Sequence, residues 1–167
     1  VRLDEPRDWF VRRYIRSFED PISPVGGLIA LHGNLAPEGA IFKRAAATEV
    51  LFETEGRAIV FTSLEDLANR IDDPDLDVTA SDVLVLQNAG PHAATMPEAG
   101  YLPIPRKLAQ QGVKDMLRIS DARMSGTAFG TIVLHVAPEA ALGWPSAAVR
   151  DGDRIRLSVS RKTIELL

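Results

Sequence analysis

The fold class turns on residues 58–70, Ala58-Ile59-Val60-Phe61-Thr62-Ser63-Leu64-Glu65-Asp66-Leu67-Ala68-Asn69-Arg70. Its first four residues are apolar, with β-branched and aromatic members, as in a buried strand. Ser63 follows, with Asp66 three residues on, and Leu64, Leu67 and Ile71 share one apolar face. Ser63 therefore caps a helix over residues 64–70. A strand running directly into a capped helix makes the chain mixed α/β.

The same signals recur on both sides. Short apolar runs at Leu28–Leu31, Ala40–Phe42 and Val83–Leu86 read as strands, followed by Met116–Ile119, Thr131–Val136, Arg154–Val159 and Thr163–Leu166. Pro105 opens a second helix that reaches Gln111, and Gly112 takes the position just past its end. Asp151-Gly152 reads as a hairpin-type turn. About eight strands and two or three helices follow by this count. The strands are not separated by regular helices, which disfavours a doubly wound sheet. A curled or barrel-like mixed sheet with helices on one side is expected.

Residues 1–20 read as an N-terminal helical arm or interdomain linker, with residues 21–167 forming the domain. Trp9, Phe10, Tyr14 and Phe18 recur near helical spacing as a packing stripe, and Pro21 and Pro24 stop the helix.

Composition narrows the class. The 167 residues are 46% hydrophobic and 25% charged, as in an ordinary globular domain. No apolar run reaches the ~18 residues of a membrane span. With no cysteine, the chain offers no disulfide, no thiolate nucleophile and no thiolate-held cluster; the cytoplasm is the default location. The net charge of −4 is unevenly spread. Between Glu49 and Asp82 ten acids face only Arg57 and Arg70, a block that reads as a solvated face. No basic stripe carries interleaved aromatics, which argues against nucleic acid.

Common catalytic patterns are missing. His32, His92 and His135 are too far apart for a local metal motif, and His135, inside an apolar run, reads as a hydrogen-bonded core residue. Two loops differ in kind. Residues 88–100, Asn88-Ala89-Gly90-Pro91-His92-Ala93-Ala94-Thr95-Met96-Pro97-Glu98-Ala99-Gly100, follow a strong strand and present one carboxylate, Glu98. Residues 120–130, Ser120-Asp121-Ala122-Arg123-Met124-Ser125-Gly126-Thr127-Ala128-Phe129-Gly130, pack hydroxyls, a carboxylate, a guanidinium and two glycines into eleven positions. Such loops carry binding groups or make structural turns, and spacing alone leaves both open.

Residues 119–131, running on to His135-Val136-Ala137-Pro138-Glu139, closely resemble the C-terminal signature of the dihydroxyacid dehydratase / phosphogluconate dehydratase family. Gly33-Asn34-Leu35-Ala36-Pro37-Glu38-Gly39-Ala40, Asn88-Ala89-Gly90-Pro91 with Met96-Pro97-Glu98, and Asp151-Gly152-Asp153 agree with it in order. The Met-Ser-Gly-Thr form at 124–127 is most similar to the sugar-acid (aldonate) branch. Thr95 and Trp144 stand where the family usually carries glycine, and both bear on pocket shape.

The resemblance implies a swivelling β/β/α domain. It also implies a hydro-lyase that converts a 2,3-dihydroxy sugar acid to a 2-keto acid. Ser125 would be the catalytic base, Gly126 and Thr127 would contact substrate, and Glu98 would be a Mg²⁺ ligand. From its place beside Arg123, independently of the resemblance, Asp121 reads as a paired, structural residue. An iron–sulfur cluster of the [2Fe-2S] type and Mg²⁺ would be held mainly by an N-terminal domain of the same protein, supplying the positive field and the Lewis acid. A full-length protein of this kind would be a homo-oligomer without membrane or nucleic-acid partners. The isolated domain would be inactive. The competing expectations are a catalytically silent swivel-type binding module and a separate small subunit.

Overall fold

The computed structural model describes residues 16–93, 102–123, 129–143 and 145–167. Among the described residues eight strands form one sheet: β1 (Ile29–Leu31), β2 (Gly39–Phe42), β3 (Glu53–Phe61), β4 (Val83–Leu86), β5 (Arg118–Ser120), β6 (Ile132–Ala137), β7 (Arg154–Ser158) and β8 (Thr163–Leu166). Their order is β1-β2-β6-β5-β4-β3-β7-β8. The central four, β6-β5-β4-β3, are mutually parallel. Antiparallel strands extend both flanks, β2 and β1 beside β6, β7 and β8 beside β3.

The sheet curls until its ends meet. His32, just past β1, bridges Thr163 of β8: its N–H donates to the Lys162 carbonyl at 3.0 Å, and Ile164 N–H donates to the His32 carbonyl at 2.9 Å. Asn34 continues the seam with its side chain, donating to Leu166 O at 2.6 Å and accepting from Leu166 N–H at 2.7 Å. Gly33 is needed at this closure, because a Cβ there would stand 2.0 Å from the Ile164 carbonyl oxygen. The expected barrel-like sheet is thus present, and the Gly33-Asn34 motif serves to close it.

Alternation along each strand divides the core in two. Leu31, Phe42, Val60, Val85, Ile119, Val133, Ile155 and Ile164 face the barrel interior, so every strand contributes to it. The opposite face of the central strands (Ile59, Phe61, Leu84, Leu86, Ile132) packs under the helices α1 (Leu64–Arg70) and α2 (Arg106–Gln110) through Leu67 and Leu108. The Ser63 hydroxyl accepts the Asp66 N–H at 3.1 Å, the expected cap. Gly112, at φ +90°, ends α2 as expected.

Four expectations change. β3 starts five residues early, at Glu53, because Glu53-Thr54-Glu55 alternates outward on a strand paired with β7. Glu55 there binds Arg154 and Arg156, each at 2.8–2.9 Å. Second, the acidic block is more than a solvated face. Arg57 bridges buried Asp82 and exposed Asp77, and hydrogen bonds to Asp82 and then Asp77 raise its pKa. Third, Asp151-Gly152 does not join a hairpin. It leads into β7 and is tied to β3, Asp151 accepting from Val60 N–H at 2.6 Å. Fourth, His135 is exposed rather than in the core. An extra residue in β6 opposite Gly39–Ile41 makes a bulge, and His135 sits in it at φ +52°.

Residues 1–15 lie outside the described residues. Within 16–20 the chain bends without forming a helix, and Phe18 is 96% exposed. Two causes are local: Ser17 takes the Asp20 N–H with its own side chain, and Asp20 precedes Pro21, which disfavours helical geometry.

Candidate functional site

The two singled-out loops leave neighbouring strands in the same direction. β4 and β5 are parallel, with Leu86 paired to Ser120, so residues 88–93 and 121–123 start side by side at the carboxyl edge. That edge is where open α/β sheets place ligands. Asp121 ties these roots together. Its buried carboxylate accepts N–H bonds from Asn88 at 3.1 Å, Ala89 at 3.0 Å and Ala140 at 3.0 Å. A carboxylate is suited to this because it offers only acceptors to converging amides. Asp121 has a structural role, and these three backbone amides are what it holds.

Glu139 extends the seam. It accepts from His92 N–H at 2.8 Å and faces His92 Nδ1 at 2.9 Å. Gly90 passes so close that a Cβ would meet the Glu139 carboxylate at 2.6 Å. The family-like segments Asn88-Ala89-Gly90-Pro91 and Val136–Glu139 are therefore in contact, although 47 residues separate His92 from Glu139.

A second charged centre lies where both loops return. The Arg118 guanidinium, 1% exposed, donates to Leu102 O at 2.9 Å, Phe129 O at 2.9 Å and Asp115 Oδ1 at 3.0 Å. Asp115 in turn accepts from the Thr48 hydroxyl at 2.7 Å and from the Thr131 N–H and hydroxyl, the latter at 2.7 Å. Burial pushes the Asp115 pKa up, but the bonds from Thr48 and Thr131 and the Arg118 charge outweigh it and hold the group below its ordinary value. Sequence reasoning missed this pair. Its one visible signal was an arginine set inside a strand flanked by Leu117 and Ile119.

Ser125, Gly126, Thr127 and Glu98 lie outside the described residues, as do Thr95 and Trp144. What the structure places is the frame around them: residues 93 and 102 on one loop, 123 and 129 on the other. Beneath the roots, a cavity of about 10 Å³ between Leu35, Val85, Ile119 and Asp121 is too small for an organic acid. A larger cleft of about 370 Å³ lies elsewhere, by β3, lined by Arg57, Arg70, Asp73, Asp75, Asp77 and Asp151. There Arg57 and Arg70 pair with neighbouring aspartates, so it holds no evident reactive group. Among the described residues no three His, Asp or Glu side chains converge as a metal set, and no helix is long and apolar enough to cross a membrane.

Comparison with known proteins settles the family. Residues 13–167 match the family described as Dihydroxy-acid/6-phosphogluconate dehydratase C-terminal. The chain belongs to that family. Among curated members of the dehydratase family, the L-arabonate dehydratase of Azospirillum brasilense is 53% identical over 153 residues, covering 91% of this chain and 26% of the relative. The 6-deoxy-6-sulfo-D-gluconate dehydratase of Pseudomonas putida is 53% identical over 156 residues, covering 91% and 27%. The dihydroxy-acid dehydratase of Methanoregula boonei is 41% identical over 154 residues, covering 92% and 27%. This dehydratase C-terminal chain thus spans about a quarter of the length of these relatives.

Proposed function

We propose that the chain is the C-terminal domain of a hydro-lyase that dehydrates a 2,3-dihydroxy sugar acid to a 2-keto acid, in a site shared with an N-terminal domain of the same protein. The observation that carries this is the joining of two family segments at their roots by Asp121. The loops that continue from those roots bear Glu98 and Ser125. The higher identity to relatives named for sugar acids than to the one named for dihydroxy acids favours an aldonate as substrate.

Ser125, as the alkoxide that a neighbouring Mg²⁺ and cluster would stabilise, takes the proton from C2. The electron pair left at C2 forms the C2–C3 double bond as the C3–oxygen bond breaks, and the departing hydroxide takes up the proton that Ser125 removed, leaving as water and restoring the alkoxide. The enol then tautomerises to the 2-keto acid. Gly126 and Thr127 bind the substrate beside the base, and Glu98 ligates Mg²⁺. With no cysteine, the chain's own donors do not fit a thiolate-held iron–sulfur cluster. On the family resemblance, the cluster and most of the Mg²⁺ shell would be held by the N-terminal domain. The complete enzyme is a homo-oligomer working in the cytoplasm.

Assay of the complete enzyme against a panel of aldonates and branched 2,3-dihydroxy acids tests this. The expected result is 2-keto acid from at least one aldonate, with the isolated 167-residue chain inert. No 2-keto acid from any of them would overturn the reading.

A further inference from the structure

We propose that Arg118 is a positioning residue that fixes the return points of both candidate loops at once. The proposal rests on the reading that these loops carry the site. One guanidinium reaches the carbonyls of Leu102 and Phe129, the first described residues after segments 94–101 and 124–128. Its Nε donates to Met116 O at 3.3 Å, and Asp115 fixes its remaining edge. Asp115 also binds Thr131 and Thr48, so the start of β6 and residues 46–48 join the same centre. Gly130 N–H donates to Ala46 O at 2.9 Å beside it.

The arrangement is specific to arginine. A planar fork satisfies two carbonyls and a carboxylate in fixed directions, which an ammonium cannot copy. The packing leaves no slack: a Cβ at Gly130 would stand 2.0 Å from the guanidinium and 2.5 Å from Asp115 Oδ1. Asp121 fixes where the loops leave the sheet and Arg118 fixes where they come back. Reacting groups held on such spans need to stay close to their productive geometry, since ~1 Å of misplacement costs about a hundredfold in rate.

Arg118→Lys separates positioning from folding, because it keeps the charge beside Asp115 and removes the fork. Hydrogen exchange on the 167-residue chain should show the amides of Gly130 and Thr131, which donate to Ala46 O and Asp115, opening about tenfold faster, with β3 and β7 unchanged. In the complete enzyme kcat should fall about tenfold or more and KM should rise with it, because Gly126 and Thr127 lie on the same span as the base. Should the lysine variant not fold, Asp115→Asn with Arg118→Gln leaves no lone buried charge and carries the same readouts. Unchanged exchange at Gly130 and Thr131, or faster exchange everywhere alike, overturns the proposal. So does faster loop exchange with kcat unchanged. Absence of dehydration in the wild-type enzyme would instead refute the proposed function, while the exchange pattern still judges the clamp.

Discussion

Replacing Asp121 with asparagine probes the joint between the two loops. The shape is kept, but one carboxylate oxygen becomes an NH₂ group. In the native structure Oδ1 accepts from Ala89, while Oδ2 accepts from both Asn88 and Ala140. The better orientation of the amide keeps its oxygen toward Asn88 and Ala140, which sets NH₂ against the Ala89 N–H. One buried donor is then orphaned, and the two remaining bonds lose their charge assistance. Hydrogen bonds to charged groups contribute about 1.5–3 kcal/mol each, and an orphaned buried donor costs ~1–3 kcal/mol. Together these give about 2–4 kcal/mol. For a chain of this size that lowers Tm by roughly 5–15 °C. Urea unfolding should show a lower midpoint at an unchanged m value, because the exposed surface is the same. A loss under about 0.5 kcal/mol, the scatter of ordinary surface substitutions, would refute Asp121 as the joint.

Gly33→Ala should destabilise the chain by at least about 2 kcal/mol in the same assay, since its Cβ would collide with the Ile164 carbonyl at the barrel seam; a neutral result would mean the seam does not close as described. Asp115 has a folded pKa below its ordinary value, near 3.9 in unfolded chains. Its contribution is therefore complete above that value and is lost as pH falls through the folded pKa. The stability gap between wild type and Asp115→Asn should be widest near neutral pH and shrink on acidification, and a gap independent of pH would contradict the assignment.

Local signals carried most of the fold. The capped helix after Phe61, the glycine after α2 and the short apolar runs each state their structure within a few residues. Long-range pairing was not legible in this way. Glu53 and Glu55 read as part of an acidic block because their partners, Ser160, Arg154 and Arg156, lie about a hundred residues on. His135 looked like core because its neighbours are apolar, and the bulge that turns it outward arises only against β2. The same holds for the site. Its two loops, Asp121 among their residues, stood out by composition and by their family likeness, whereas the Arg118–Asp115 pair that frames their return did not. Asp121 acts on amides of a different loop, and Arg118 on carbonyls 11 and 16 residues away. Neither set of partners is legible from local spacing.

The central claim is that this domain supplies the base for dehydration, and Ser125→Ala in the complete enzyme tests it most directly. The measurement is kcat for 2-keto acid formation from the preferred aldonate, with metal content and substrate affinity checked alongside. A positioned general base contributes about 10²–10⁴-fold, so kcat should fall by at least ~100-fold while cluster content and much of the binding persist. A kcat within about threefold of wild type, far short of that range, would show that Ser125 is not the base.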